Sequence, residues 1–314
     1  MEKSDFYREI AANKRRTFVL MFVFALVVIV LGYALGAVWG DPYLGLVLAF
    51  AVSLLMAWGS YYYSDQVVLA ITHARPATKE EFPQFVNAVE GLAIAAGLPA
   101  PRCYVMDEPA PNAFATGRDP EHAIICATTG LLSTLGRYEV EGVVAHEMSH
   151  ILNYDVRLQT IAVVLAGMVV LLGDWLLRSL FWGRRSNRRS SRNDNAAAGV
   201  ILAIGLIFAV LSPIIAQLMK MAISRRREYL ADATAVRLTR YPQGLADALA
   251  ALSSANTPMH DANRATAHLF IVSPLKGKGL DSLFSTHPPI EERISRLRSM
   301  DVSTMVGPEG SGGR

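Results

Sequence analysis

Four long apolar segments constrain the fold of this chain more than any other feature of its sequence. They are residues 17–38, 43–58, 158–182 and 196–219. A helix of about 20 apolar residues can cross a bilayer, and the backbone must be helical there because lipid offers it no hydrogen-bond partners. The hydrophobic content of 52% is also high for a soluble globule. The sequence therefore predicts an integral membrane protein with about four transmembrane helices.

The first two segments indicate a transmembrane hairpin, residues 17–60, and not a cleaved signal sequence. Residues 1–16 are a polar, basic leader that ends in Lys14-Arg15-Arg16. A signal peptide has a shorter apolar core and then a cleavage site, whereas here Gly40-Asp41-Pro42 predicts a turn into a second apolar segment. Positive charge is retained in the cytoplasm, so we expect the leader and the chain that follows the hairpin to face the cytoplasm.

The second apolar hairpin, residues 158–219, has an ambiguous topology. Its linker, residues 183–195, carries five arginines. If segment 158–182 crosses outward, these arginines face the outside, against the positive-inside rule. The chain before and after the hairpin stays on one side if both segments span or if neither does. We expect both to span.

The remaining sequence predicts a water-soluble domain built from two stretches, residues 61–157 and 220–303. Helices are predicted at residues 78–97, from about residue 137, and at 223–238, 242–255 and 290–300. Short strands are predicted at 102–106, 111–117 and 122–127. The predicted fold is mainly α with a small β-sheet. The tail, residues 304–314, has the composition of a disordered segment.

The strongest chemical signal is the motif H-E-x-x-H, formed by His146, Glu147 and His150. Two histidines four residues apart on a helix project from one face, so both can bind one metal ion. The intervening glutamate can act as a general base on water without being a ligand. Apolar residues at helical spacing around the motif support a helix, and a chance match is improbable. The motif predicts a zinc hydrolase.

The third metal ligand is less constrained by the sequence. The extended metzincin motif is excluded, because Asn153 and Val156 stand where it requires glycine and histidine. The remaining candidates are His73, His122, His260, His268, His287 or a carboxylate from a later helix. Glu228 fits best, since Asp232 lies one helical turn further on and could orient a ligand imidazole.

These motifs together resemble the HtpX family of membrane-bound heat-shock metalloproteases, which are related to the prenyl-protein endopeptidases. The resemblance covers nearly the whole chain. Its motifs are Asn112-Ala113-Phe114-Ala115, Ala145-His146-Glu147 with Ser149-His150, Arg227-Glu228-Tyr229 with Ala231-Asp232, and His287-Pro288-Pro289. The Arg-rich linker does not fit a pattern of the family.

The resemblance implies a zincin-like catalytic domain of the gluzincin type. One Zn²⁺ per chain would be held by His146, His150 and Glu228, with Glu147 as the base. It also implies a multi-pass protein of the bacterial inner membrane that acts in the stress response and in protein quality control. Its partners would be polypeptide substrates, expected to be membrane proteins, and the lipid bilayer.

Three further site candidates each have a structural alternative. Asn112, Ala113, Phe114 and Ala115 could bind an extended substrate as an edge strand, or form a plain structural strand. His287 could stabilise an oxyanion, or cap or pack against a helix. Arg293 could pair with a carboxylate near the zinc, or be solvated. Asp232, His287 and Arg293 are thus candidates for supporting the metal or the transition state.

Two alternatives to a protease are a membrane scaffold with structural zinc and a transporter. Glu147 argues against the scaffold, because a structural site would close its fourth position with another Cys or His. Few charges lie in the apolar segments, which argues against a transporter. The net charge of +3 is small, and its basic clusters adjoin apolar segments, so no nucleic-acid partner is expected. Cys103 and Cys126 are expected to be reduced, with a disulfide between them as the alternative.

Overall fold

The computed structural model describes residues 3–168, 225–255, 257–259, 266, 269–272 and 288–300. Several predictions lie outside the described residues. They concern most of segment 158–182, the Arg-rich linker 183–195, segment 196–219, His260, His268, His287 and the tail 304–314. Whether the second hairpin spans the membrane stays a prediction, as does the division into domains.

The chain begins with a long helical hairpin. Helix α1 covers Lys3–Trp39 and helix α2 covers Pro42–Ile71. Both are long and apolar enough to cross a membrane, and they are the two helices of this kind among the described residues. The basic leader is helical from Lys3 and continuous with the first apolar segment, so no break separates the leader from the span.

The two helices of the hairpin approach each other closely because small residues line their contact. A Cβ atom on Gly45 would lie 2.3 Å from the Gly32 carbonyl oxygen and 2.7 Å from the Gly36 Cα. The turn uses Gly40 at φ +97°, and the Asp41 side chain then accepts hydrogen bonds from the first amides of α2. Away from this contact the hairpin is covered with exposed apolar side chains, as expected for a surface that faces lipid.

Outside the hairpin, the described residues contain one four-stranded sheet with the order β1-β2-β4-β3. The strands are β1 (Arg75–Pro76), β2 (Arg102–Met106), β3 (Ala113–Thr116) and β4 (Ile124–Thr128). Strands β2 and β4 are parallel, and the other two pairs are antiparallel. Strand β3 is therefore an edge strand of the sheet.

Both cysteines are free, as the composition led us to expect. Cys103 of β2 is opposite Ile125, so Cys126 is one position out of register with it. Successive side chains on a strand point to opposite faces, and the two thiols therefore lie on opposite faces of the sheet. A disulfide between them is excluded by this register.

Helices surround a central helix, α5, whose residues 143–151 are all buried. The helices other than the hairpin are α3 (Pro83–Ala96), α4 (Thr129–Thr134), α5 (Arg137–Leu152), α6 (residues 155–168), α7 (Arg225–Thr239), α8 (Pro242–Ser254) and α9 (Ile290–Arg298). Helix α5 packs against β3, α3, α7 and α8. Gly142 allows the approach of α8, because a Cβ there would lie 2.6 Å from the Leu245 backbone nitrogen.

The prediction of a mainly α protein with a small sheet is confirmed. Several element boundaries differ by a few residues from the predicted ones, and two of these differences have a visible cause. Helix α3 begins at Pro83 and not at residue 78, because Thr78 begins a separate turn. The carbonyl of Thr78 accepts the amide of Phe82 in this turn. Strand β4 begins at Ile124, because Asp119 caps a short 3₁₀ helix over Pro120–His122. Gly97 ends α3 in the left-handed conformation, at the predicted end of this helix.

Candidate metal centre

Helix α5 brings together the residues of the H-E-x-x-H motif. His146 and His150 lie one turn apart, and their Nε2 atoms are 3.2 Å from each other. Both rings are buried, and Glu147 beside them is buried as well. The helix holds these polar residues in the interior because its other faces pack against the sheet and neighbouring helices. The spacing of the motif therefore produces the geometry expected from it.

Glu228 of α7 completes a group of three potential ligands. Its carboxylate oxygens lie 3.7 Å from His146 Nε2 and 3.6 Å from His150 Nε2. One atom from each of the three side chains falls within 4.8 Å of the others, and all three residues are buried. Of the candidates for the third ligand, Glu228 is the one that the structure places beside His146 and His150. His73 and His122 are outside this cluster.

The three side chains fit a tetrahedral metal ion. Zinc bonds of about 2.0–2.1 Å to nitrogen and oxygen would separate two ligand atoms by about 3.3–3.4 Å. The observed separations between ligand atoms are 3.2, 3.6 and 3.7 Å. Each Nδ1 atom faces a carboxylate, which places a hydrogen there, so each Nε2 atom is available as a metal ligand once it carries no proton. Acceptors that converge in this way, next to a carboxylate, suit a cation.

His146 is supported by residues of the two late helices α7 and α9. Its Nδ1 lies 3.0 Å from Asp232 Oδ1. Arg293 donates to both oxygens of Asp232, at 2.9 Å from Nε and 2.7 Å from Nη2, and its side chain is fully buried. Its Nη1 also lies 3.7 Å from Glu228. The structure thus places Asp232 and Arg293 at the metal centre, as pairing partners and not on a solvated surface.

His150 is supported by residues that the sequence analysis did not single out as part of the site. Its Nδ1 lies 3.2 Å from Asp155 Oδ2. The other oxygen, Oδ1, accepts from Arg227 Nη1 at 3.1 Å and from Asn13 Nδ2 at 2.7 Å. A carboxylate five residues after His150 was a usable signal for Asp155. Nothing local indicated Asn13, which lies 142 residues away in the chain.

Different surroundings move the pKa values of the two histidines in opposite directions. Burial lowers the pKa of His146 to about 4, and the positive charge of Arg293 adds to this effect. Burial also lowers the pKa of His150, but the carboxylates of Asp155 and Glu228 outweigh it and raise that pKa to about 9. His146 is therefore neutral at physiological pH, whereas His150 must release a proton to bind a metal.

Edge strand β3 follows the predicted Asn112–Ala115 segment. The Asn112 side chain donates to the Val272 carbonyl at 2.8 Å, and the Ala113 carbonyl accepts the Ile271 amide at 3.0 Å. Phe114 packs on Phe270 with ring centroids 5.2 Å apart. The first half of the segment therefore binds another part of this chain, and Asn112 has a structural role.

Comparisons with known proteins identify the family of this chain. The model of peptidase family M48 matches residues 79–301. A protease HtpX homolog from Dictyoglomus thermophilum is 49% identical over 300 residues, which cover 96% of each chain. A protease HtpX homolog from Thermoanaerobacter pseudethanolicus is 46% identical over 96% of this chain and 100% of its own. The crystal structure of S. mikatae Ste24p is 19% identical, with a TM-score of 0.47, over 94% of this chain and 65% of that chain.

Proposed function

The chain belongs to peptidase family M48 and to its HtpX-like proteases, and from that membership we propose a zinc-dependent integral membrane endopeptidase. Its substrates are misfolded or damaged membrane-associated proteins, and its active site faces the cytoplasm of a bacterial cell. The observation that carries the proposal is the convergence of His146, His150 and Glu228 next to Glu147. The hairpin of α1 and α2 supports the membrane part.

The proposed reaction is hydrolysis of a peptide bond by an activated water molecule. When bound, a zinc ion supplies a Lewis acid that polarises the scissile carbonyl and lowers the pKa of water. Glu147 accepts a proton from the attacking water and then passes it to the leaving amine. His146, His150 and Glu228 would hold the metal. Among the described residues no Ser or Cys is paired with a His as a nucleophile would need, which favours direct attack by water.

Arg293 has two proposed roles in this reaction. It fixes Asp232, which in turn orients the His146 ring through Nδ1. It also places a buried positive charge 3.4 Å from that ring, close to where negative charge develops in the transition state. His287, the other candidate for this second role, remains a prediction.

We propose that the substrate pairs with strand β3 at Ala115. The Asn112 carbonyl accepts the Thr128 amide, so its backbone faces β4. Backbone groups alternate along an antiparallel strand, which turns the backbone groups of Ala113 and Ala115 away from β4. Ile271 already occupies the carbonyl of Ala113. Ala115 is the next position on this side of the strand, and because it is 3% exposed the edge must open before an extended peptide can add there.

The position of the centre relative to the hairpin suggests substrates at the membrane. Asn13 contacts Asp155 from the first turns of α1, only a few residues before the apolar run. The basic residues Lys14, Arg15 and Arg16 then mark the cytoplasmic surface of the bilayer. A metal centre this close to the membrane surface is accessible to polypeptide chains that emerge from the membrane.

The test compares wild type with Glu147→Gln in detergent and in lipid vesicles. We expect equal zinc content in both proteins, because Glu147 is not a ligand, and a loss of kcat of about 10²- to 10⁴-fold in the variant. Glu141→Gln is the matched control, since Glu141 lies on the same helix and pairs with Arg137 away from the centre. Activity would be measured on an unfolded soluble protein and on an unfolded membrane protein.

Several outcomes would contradict the proposal. Equal cleavage by wild type and Glu147→Gln would exclude Glu147 as the base. Bound zinc without any cleavage would favour a structural metal site. Faster cleavage of the soluble substrate than of the membrane-embedded one would contradict the proposed substrate class while leaving the chemistry intact.

A further inference from the structure

Asn13 uses all of its hydrogen-bonding capacity at the junction of the hairpin and the metal centre. Its Nδ2 donates to Asp155 Oδ1 at 2.7 Å and to the Asn153 carbonyl at 2.9 Å. Its Oδ1 accepts from Arg227 at 3.2 Å and from Arg16 at 3.3 Å. The side chain is 1% exposed. Two donors face acceptors and the oxygen faces two arginines, so the orientation of the amide is unambiguous.

Asn13 is connected to a metal ligand through one carboxylate. Asp155 holds Asn13 and Arg227 on one oxygen, and it faces His150 Nδ1 with the other. A carboxylate that receives the second ring nitrogen of a ligand histidine fixes the orientation and basicity of that ring. A change at Asn13 therefore alters the position of Asp155 and, through it, the imidazole of His150.

The position of Asn13 is itself fixed by packing along α1. Thr17, Leu20, Phe24 and Val28 follow Asn13 on one face of the helix and are all buried. Leu20, Phe24 and Val28 form a cluster with four apolar residues of α6, namely Leu158, Ile161, Ala162 and Leu165. This seam holds α1 against the helix that begins at Asp155. The hairpin and the metal centre are thus in direct contact and not joined by a flexible linker.

We propose that Asn13 is a positioning residue through which α1 completes the metal centre, an inference that rests on the proposed zinc site. The chain without a docked α1 binds zinc more weakly, because Asp155 then loses the amide donor of Asn13. The transmembrane hairpin accordingly acts as a structural part of the active site in addition to anchoring it.

The test measures zinc affinity in detergent by competition with a chelator, separately from proteolysis. Asn13→Leu keeps the approximate volume and removes all four hydrogen bonds. We expect it to weaken zinc binding about tenfold, at the low end of the effect of losing a residue that supports a metal ligand. Thr17→Val is the matched control: Thr17 is buried one turn further along the same face, and its hydroxyl donates to the Asn13 carbonyl.

Two double variants determine the route of the effect. If Asn13 acts through Asp155, Asn13→Leu should add nothing to the loss of zinc affinity in Asp155→Asn. Combined with Asp232→Asn, which affects the other histidine, its tenfold loss should persist in full. A purely structural role would lower the thermal stability of the metal-free protein and leave zinc affinity unchanged.

Each remaining outcome has a defined meaning. Wild-type zinc affinity in Asn13→Leu, or a loss that multiplies with that of Asp155→Asn, would overturn the proposal. If Asn13→Leu does not fold, Asn13→Ser is measured in the same way, since its shorter side chain cannot reach Asp155. Failure of wild type to bind zinc would instead refute the proposed function, so the two failures are distinguishable.

Discussion

The two ligand histidines of α5 have similar immediate partners but differ in where those partners come from. Each Nδ1 faces an aspartate, and each aspartate faces a buried arginine. For His146 the pair is Asp232 and Arg293, both from helices of the C-terminal part. For His150 the pair is Asp155 and Arg227, with Asn13 of the membrane hairpin as a third partner.

Among the described contacts, the hairpin therefore supports the His150 side of the metal centre and not the His146 side. Among the described residues, the His146 side is supported by α7 and α9, which lie outside the hairpin, and its arginine is the single positive partner of Asp232. The His150 side is shared between α6, α7 and α1. We therefore expect variants on the two sides to fail in different ways.

The largest expected difference is between Arg293→Met and Arg227→Met. Arg293→Met leaves the buried carboxylate of Asp232 without its charge partner, which should lower the free energy of unfolding by about 3–5 kcal/mol. Arg227→Met should have a smaller effect, because Asp155 retains the bond from Asn13. Urea-induced unfolding of the metal-free proteins in detergent measures both. Equal losses would mean that Asn13 contributes nothing on the His150 side.

An intermediate effect is expected from Asp232→Asn and Asp155→Asn. Each removes a carboxylate that orients one ligand histidine, so each should lower zinc affinity by about 10- to 100-fold. Because the two act on different histidines, the double variant should lose the product of the two factors. Chelator competition gives the affinities. A variant with wild-type affinity would show that its aspartate does not support the metal.

The smallest effect is expected from a change within the membrane hairpin. Gly45→Ala places a Cβ 2.3 Å from the Gly32 carbonyl oxygen and forces α2 away from α1. Because α6 also holds α1, we expect zinc affinity to fall only about two- to threefold, the lower end of the usual range for transmitted effects. Gly59→Ala is the control on α2, since a Cβ there meets nothing within 4 Å.

Double variants with Gly45→Ala would determine which of the two histidines the hairpin supports. If the loss of zinc affinity disappears in an Asp155→Asn background, the hairpin acts through the His150 side. If it persists there and disappears with Asp232→Asn, the assignment of the hairpin to His150 is wrong.

What the sequence could predict about the site follows from the range of the interactions. His146 and His150 form a local motif, and Glu228 and Asp232 form another at helical spacing, so periodicity alone places each pair on one helix face. Asp155 and Asn13 meet only through the packing of α1 on α6, for which no local pattern exists. The sequence allowed Arg293 either to pair with a carboxylate near the zinc or to be solvated, and its burial shows that it is paired.

The same limit applies to the fold. Strands β2 and β3 and helix α5 were predictable from alternation, apolar spacing and terminating glycines. The order of the strands was not, because the parallel pair β2 and β4 is joined through a strand at the far edge. The role of Asn112 was equally hidden, since its partner Val272 lies 160 residues away.

The full burial of Arg293 has a consequence for the synthesis of the protein. The ribosome releases the chain from its N-terminus, so α1 and both histidines emerge long before α9. Until Arg293 arrives, Asp232 has no positive partner from α9, and the His146 side cannot assume its final arrangement. The His146 side of the centre thus reaches its final arrangement only after α9 has been made.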